Sequence, residues 1–270
     1  MNRILFVSLI LPLFLGCASR YKFTPPSPDF VPTKVDRKWK VAYLGFHTFK
    51  SSVLRNQDGT IDFEALIEPG MRSLPSPILG TFPNPEELKS TANRKDIPED
   101  KVQSFAKDYL SQAGPSGVKE IEKFVEIRKE GEAYKYSLKT LPFDYYVIGI
   151  HAPTLEKTSA SVGMNFVTIF STLFSVVTLG ILPSYESYQA YTKVIVYDKN
   201  LNKVKDWQYD NSYTVWRALW ISPNPKECSI GSLGCLGMFS PSVQTNQPLV
   251  FAGTIPKVQS DLQEFFAKSK

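Results

Sequence analysis

Apolar positions along this chain recur in two periods that alternate down its length. Val41-Ala-Tyr-Leu-Gly-Phe46 and Tyr145-Tyr-Val-Ile-Gly-Ile150 are apolar on consecutive residues, the pattern of central strands in a covered sheet. Ala190–Tyr197 and Lys203–Tyr213 are rich in Val, Ile, Tyr and Thr and flank the polar loop Asp198-Lys-Asn-Leu-Asn202, which predicts a β-hairpin. Thr214–Ile221 is a further apolar run. Helical spacing appears at Val102, Phe105, Ala106, Tyr109 and Leu110, predicting a helix over Asp100–Gln112. It continues at Val118, Ile121, Phe124 and Val125, predicting a second helix over Ser116–Lys129 capped at Gly131. Val258, Leu262, Phe265 and Phe266 sit at i, i+4, i+7 and i+8 and predict a C-terminal helix starting near Pro256. Residues 47–99 lack a period. Asn56-Gln-Asp-Gly59 reads as a turn, Pro69, Pro75, Pro77, Pro83 and Pro85 interrupt the rest, and Asp62–Ile67 reads as a helical turn or two. This stretch is expected to be a long surface loop suited to a substrate or partner. The order of elements predicts an α+β fold: one mixed β-sheet with helices mainly on one face, an apolar insertion and a C-terminal helix.

The insertion is the least ordinary segment. Thr158–Tyr185 runs for 28 residues without a charge. Val162–Leu182 is long enough to cross a bilayer as a helix. Crossing would put the flanking strands Tyr145–Ile150 and Thr192–Tyr197 on opposite sides of a membrane, against their expected place in one sheet. A buried helix or hairpin is the second reading. The third is a segment that dips into a membrane or forms an oligomer, leaving and returning on one side, with Gly163, Gly180 and Pro183 as hinges. Thr168, Ser171, Thr172, Ser175 and Thr178 place a hydroxyl every three or four residues along it.

The first residues carry a different message. Met1–Gly16 has a positive residue at Arg3, a mostly apolar core from Ile4 to Leu15 and a small residue at Gly16, the layout of a signal peptide. Phe14-Leu15-Gly16-Cys17 resembles the lipobox of bacterial lipoproteins, in a relaxed form similar to spirochaete-type sequences, with Phe14 and Leu15 departing from the usual choices. The resemblance implies cleavage before Cys17, diacylglycerol on its thiol and palmitate-type acylation of the new amine. Several chains at about 0.8 kcal/mol per buried methylene make a stable anchor. Pro25, Pro26, Pro28 and Pro32 follow, so 17–38 reads as a lipidated tether and 39–270 as a single α+β domain with the apolar insertion at 158–185.

Composition narrows the chemistry. Of 270 residues 43% are hydrophobic and 21% charged, which excludes a disordered chain and a polytopic membrane protein. A net charge of +5 without a basic run argues against a nucleic-acid partner. His47 and His151 each follow a strand signal and would share one sheet end if those strands are parallel, with Asp144 further down. No H-E-x-x-H, C-x-x-C or G-x-S-x-G accompanies them, so no metal, cofactor or catalytic residue is assigned and the chain reads as a non-enzyme. Gly231, Gly234 and Gly237 recur every third residue with no P-loop Lys-Ser/Thr after them and read as a flexible loop. Cys228 and Cys235 remain after lipidation. Export to an oxidising compartment and two glycines between them favour a disulfide worth roughly 2 kcal/mol. Trp207, Tyr209, Tyr213, Trp216 and Trp220 read as sheet packing before a sugar or peptide platform.

The motifs DYYVIGI (144–150) and KVIVYDKNLNKVKDWQY (193–209), together with the opening strand, resemble the periplasmic α/β domain of curli-secretion-type and related envelope lipoproteins over about a third of the chain. The likeness implies a fold and an envelope role and transfers no catalytic residue. The expected function is therefore a lipid-anchored, non-enzymatic envelope protein at the outer membrane. It would be held to the membrane through Cys17 and would assemble with envelope proteins or with itself through 162–182. A surface-exposed lipoprotein binding host or environmental ligands is the alternative, separated from the first by protease accessibility on intact cells. Metabolic labelling with a palmitate analogue should tag the protein, and Cys17→Ser should abolish the tag and release the chain into the soluble fraction; a tag surviving that substitution refutes lipidation there.

Overall fold

The computed structural model describes residues 18–25, 39–55, 61–74, 79–83, 88, 92–152, 162–218, 220–221 and 248–269. The chain divides into two compact units. Residues 1–24, 153–190 and 211–250 form a first unit, and 25–152, 191–210 and 251–270 form the second.

The second unit is built on a four-stranded mixed sheet. β2 (Val41–Gly45) lies parallel to β7 (Tyr145–His151), β7 antiparallel to β9 (Tyr191–Asp198), and β9 antiparallel to β10 (Lys203–Asp210). All five β2 residues are buried, the signature of a strand covered on both sides. On one face Ala42, Leu44, Tyr146, Ile148 and Tyr197 meet Val102, Phe105 and Tyr109 of α1 (Glu99–Ala113). On the other, Val41, Tyr43, Val147, Val194 and Val196 meet Val258, Leu262 and Phe266 of the C-terminal helix α5 (Ile255–Lys268), which follows the short helix α4 (Pro248–Ala252). The α+β class, the mixed sheet and the C-terminal helix stand as the sequence predicts, with the two long helices divided between the two faces.

Two stretches differ from their sequence reading. The helix expected over Ser116–Lys129 is only a 3₁₀ turn, Gly114–Gly117, and a single helical turn α2, Val118–Ile121. The chain then enters β5 (Val125–Glu130), paired with β6 (Ala133–Leu138). Gly131, read as a helix cap, has φ +66° and sits in the hairpin turn. Val125 and its cross-strand partner Leu138 reach the core together, so that hydrophobic contact overrides the helical spacing of Val118, Ile121, Phe124 and Val125. The long loop expected after His47 is a two-stranded ribbon: β3 (His47–Arg55) pairs with β4 (Ile61–Arg72). The helical turns read at Asp62–Ile67 are strand. The Asn56–Gly59 turn lies outside the described residues.

In the first unit, β1 (Ala18–Lys22), β11 (Tyr213–Ala218) and β8 (Ser184–Tyr188) form an antiparallel sheet in the order β1-β11-β8. Ala18–Lys22, placed in the tether by the sequence reading, is therefore sheet; Cys17 and 26–38 lie outside the described residues. Glu186 of β8 accepts hydrogen bonds from Arg217 (2.6 Å) and the Tyr188 hydroxyl (2.8 Å), and its negative charge raises the Arg217 pKa against the opposing effect of burial. The uncharged insertion supplies α3 (Val162–Val177), which packs on β8.

Leu262 is 2% exposed against the sheet. Leu262→Ala should lower unfolding free energy by about 2–5 kcal/mol, the usual cost of a buried leucine cavity. A urea midpoint unchanged from that of the parent chain would show that α5 is peripheral.

Candidate functional site

The parallel pairing of β2 with β7 puts Gly45 opposite Gly149, so the two strands deliver the following residues to the same sheet end. There β2 turns sharply. Gly45 and Phe46 have φ of +77° and +58°, left-handed values that are uncommon for a phenylalanine and cost roughly 1–3 kcal/mol. The turn is fixed from below. Phe46 N–H donates to Gly149 O at 2.7 Å, a Cβ on Gly45 would stand 2.1 Å from that same oxygen, and a Cβ on Gly149 would strike the Phe46 ring at 2.2 Å. Both glycines are required because backbone and ring approach so closely. The consequence is that His47 leaves the sheet directly above the parallel pair.

His47 opens β3 and faces Arg72, the last residue of β4, across the root of the ribbon. Both converge on one carboxylate, that of Glu120 in α2. His47 Nε2 is hydrogen-bonded to Glu120 Oε2, and Arg72 Nη2 lies 3.3 Å from Oε1. The Tyr109 hydroxyl donates to Oε2 at 2.6 Å and the Gly45 N–H to Oε1 at 3.1 Å. Arg72 also donates to Gly45 O at 3.3 Å and lies 3.9 Å above the Phe82 ring. Burial alone would raise the Glu120 pKa. The hydrogen bond and charge of His47, the charge of Arg72 and the Tyr109 hydroxyl outweigh it and hold the carboxyl at about 2. In turn burial, followed by the adjacent carboxylate, pushes the Tyr109 phenol upward.

His151 stands beside this cluster. Its Nε2 is 2.5 Å from Ser73 Oγ, its Nδ1 is 2.8 Å from Thr192 Oγ1, and its ring stacks on Phe251 at 3.9 Å. Complete burial, and then the proximity of His47, lower its pKa to about 3. A Ser–His contact is the beginning of a nucleophile, but burial lowers the basicity of this imidazole, and a hydroxyl rather than a carboxylate orients it. The pair acts as a neutral buried bond. His47, Tyr109, Gly149 and His151 line a small pocket, into whose neighbourhood His47 Nδ1 brings a buried nitrogen without a hydrogen-bond partner among the described residues. Among those residues no group of three His, Cys, Asp or Glu is placed to hold a metal.

The two histidines singled out in the sequence are thus brought to one sheet end. Asp144 stays at the far end, accepting the Lys40 N–H at 2.9 Å. Glu120, which organises the site, has no sequence signal: it is one of two acidic residues in KEIEK, and apart from Tyr109, 11 residues before it, its partners come from 48 to 75 residues away. Cys17, Cys228, Cys235 and the glycines at 231, 234 and 237 lie outside the described residues. The five aromatics divide between the units. Trp207 meets Phe265 edge-on at 6.0 Å and the Tyr209 hydroxyl donates to Asp261 at 2.8 Å. In the first unit Tyr213 stacks on Tyr188 at 5.2 Å, Trp216 meets Tyr185 at 4.9 Å, and Trp220 donates its indole N–H to Ile181 O at 2.7 Å.

Comparison with known protein families, curated proteins and solved structures finds no match to this chain.

Glu120 makes a pH test possible. A carboxyl whose pKa falls on folding stabilises above its unfolded value, here an ordinary 4.5, and loses that contribution as pH drops toward 2. The shift corresponds to roughly 3 kcal/mol at neutral pH. Glu120→Gln should therefore be less stable than the parent at pH 7, and the gap should close steadily between pH 4.5 and pH 2 in urea titrations. His151 adds acid lability in both proteins, from its ordinary 6.5 down to about 3, and so cancels from the difference. A gap that does not change with pH would show that Glu120 is not the ionised anchor described here.

Proposed function

We propose that this chain is a lipid-anchored protein of a bacterial cell envelope, at the outer membrane, and that it works by assembling with a partner rather than by catalysis. The anchor rests on the Gly16-Cys17 junction behind an apolar leader. The observation that carries the assembly role is the β3–β4 ribbon. Over 9 and 12 residues its strands pair with each other and, among the described residues, with no further strand. Two-stranded ribbons are marginal alone, and their outer edges present backbone N–H and C=O groups that accept another strand. This ribbon is held at its root by a buried carboxylate with four donors, the arrangement that keeps such an arm at a fixed angle for a partner. The surrounding chemistry supports binding over turnover: Glu120 has its lone pairs engaged, and a Thr192 hydroxyl rather than a carboxylate orients His151.

Photo-crosslinking in intact cells tests the reading. A benzophenone amino acid at Ser52 or Glu64, on opposite strands of the ribbon, should give a discrete higher-mass adduct. The same group at Lys107, on the exposed side of α1, should not. Equal adduct yields at all three positions, or none at the ribbon, would remove the support for the ribbon as the contact.

A further inference from the structure

Helix α3 is amphipathic in the wrong sense for a protein surrounded by water. Three of its four hydroxyl residues line the inward side: Ser175 is buried, Thr168 and Ser171 are half-buried, and Ser171 Oγ accepts the Tyr185 N–H of β8 at 3.1 Å, while Thr172 is exposed on the apolar side. Its apolar side turns outward. Phe166, Ile169, Phe170, Leu173 and Val177 are 49–71% exposed, on a helix with no charged residue. A water-soluble helix of this composition buries the phenylalanines and leaves the serines wet. The exposed apolar surface continues past the helix. Leu179 and Gly180 take φ of +53° and +83°, Gly180 N–H closes on Ser175 O at 2.6 Å, and the chain turns back into β8 through exposed Ile181 and Leu182. Contiguous patches of this kind mark a contact surface.

The geometry points to the acyl layer of a membrane as what covers it. Three observations in the same unit favour lipid over a protein partner. First, β1 begins at Ala18, one residue after the cysteine proposed to carry the acyl chains, and β1, β11 and β8 are consecutive strands of the sheet on which α3 packs. The anchor thus leaves the protein from the sheet that carries the apolar helix, with no linker between. Second, Trp216 and Trp220 are 40% and 67% exposed, and the Trp220 indole N–H is already satisfied by Ile181 O. Amphipathic rings of this kind settle at the headgroup level. Third, Arg20 and Lys22 of β1 are exposed in the same sheet, where they can meet anionic headgroups. Sixteen residues rise about 24 Å, short of a ~30 Å hydrocarbon core, and no described helix is long and apolar enough to cross a membrane. The helix therefore lies in the interface, its apolar side sunk among the acyl chains, and adds a second hold to a lipidated chain. The location of the anchor rests on the proposed lipidation; the orientation of α3 does not.

The test uses the full mature chain with Cys17→Ser, so that no acyl chain contributes, and vesicles of phosphatidylethanolamine and phosphatidylglycerol at three to one. Cys17→Ser should float with the vesicles. Adding Phe170→Asp and Leu173→Asp, both on the exposed side, should reduce the bound fraction about tenfold or more while the circular dichroism melting curve stays in place. Lipids brominated along the acyl chain should quench tryptophan fluorescence in Cys17→Ser, and Trp220→Phe should remove part of that quenching. A Cys17→Ser chain that stays monomeric and does not float overturns the inference. So does one that fails to float but sediments as a dimer that Leu173→Asp disperses, since a second copy then covers α3. Flotation of Cys17→Ser, combined with a wild-type chain that takes up no palmitate analogue in cells, upholds the membrane-facing helix and refutes the lipid anchor instead.

Discussion

The carboxylate of Glu120 is the point on which the second unit turns. It lies on a single helical turn, yet it reaches the end of β2 through the Gly45 N–H, both strands of the ribbon through His47 and Arg72, and α1 through the Tyr109 hydroxyl. Four contacts to one buried anion are mutually dependent. Removing any donor leaves charge less compensated in a region where water does not replace it, and removing the carboxylate leaves Arg72 and His47 facing each other across the ribbon root. The left-handed step at Gly45-Phe46 belongs to the same device. Without it His47 would continue along the β2 direction, and the ribbon would not start over the helix that carries its anchor.

Elements whose apolar period is satisfied within their own neighbourhood were legible from the residues. The strands at Val41 and Tyr145, the Asp198–Asn202 hairpin, the helix after Glu99 and the C-terminal helix all bury the stripe that the spacing marks out. The stretches that misled depend on distant partners. In β5, Val125 and Ile127 pack inward and Glu126 and Arg128 do not, a period of two that is disguised by Phe124 and Ile121 completing a helical stripe just before it. In β4 the alternation of Ile61, Phe63, Ala65 and Ile67 with Asp62, Glu64 and Glu68 is present in the residues, but Pro69 and Gly70 and the polar run Lys50-Ser51-Ser52 in its partner obscure it. At the site, the strand signals placed each histidine just past a strand, and the parallel pairing of β2 with β7 is what brings them to one sheet end. Glu120 could not be placed, because nothing local distinguishes it from Glu122.

The insertion shows a different limit. Its lack of charge and its periodic hydroxyls are plain in the residues, and so is the existence of a two-sided helix. Which side faces the protein is not, since a helical period is the same whether read from inside or outside. Only the packing of Ser171 and Ser175 toward β8 decides that the phenylalanines face away.

The pairing of β1 with β11 has a consequence for the order in which the molecule can be completed. Ala18 is matched to Ala218 and Lys22 to Thr214, so the first strand waits for a partner about two hundred residues behind it. A chain synthesised N-terminus first delivers β1, then β2 to β7, then α3 with its outward phenylalanines, all before β11 arrives to close the small sheet. The second unit is also incomplete until its last helix emerges, since Val258, Leu262 and Phe266 roof one side of its sheet. Neither unit can therefore mature until the chain is nearly complete, and throughout that interval a strand edge and an apolar helix still lack the partners that the finished fold gives them.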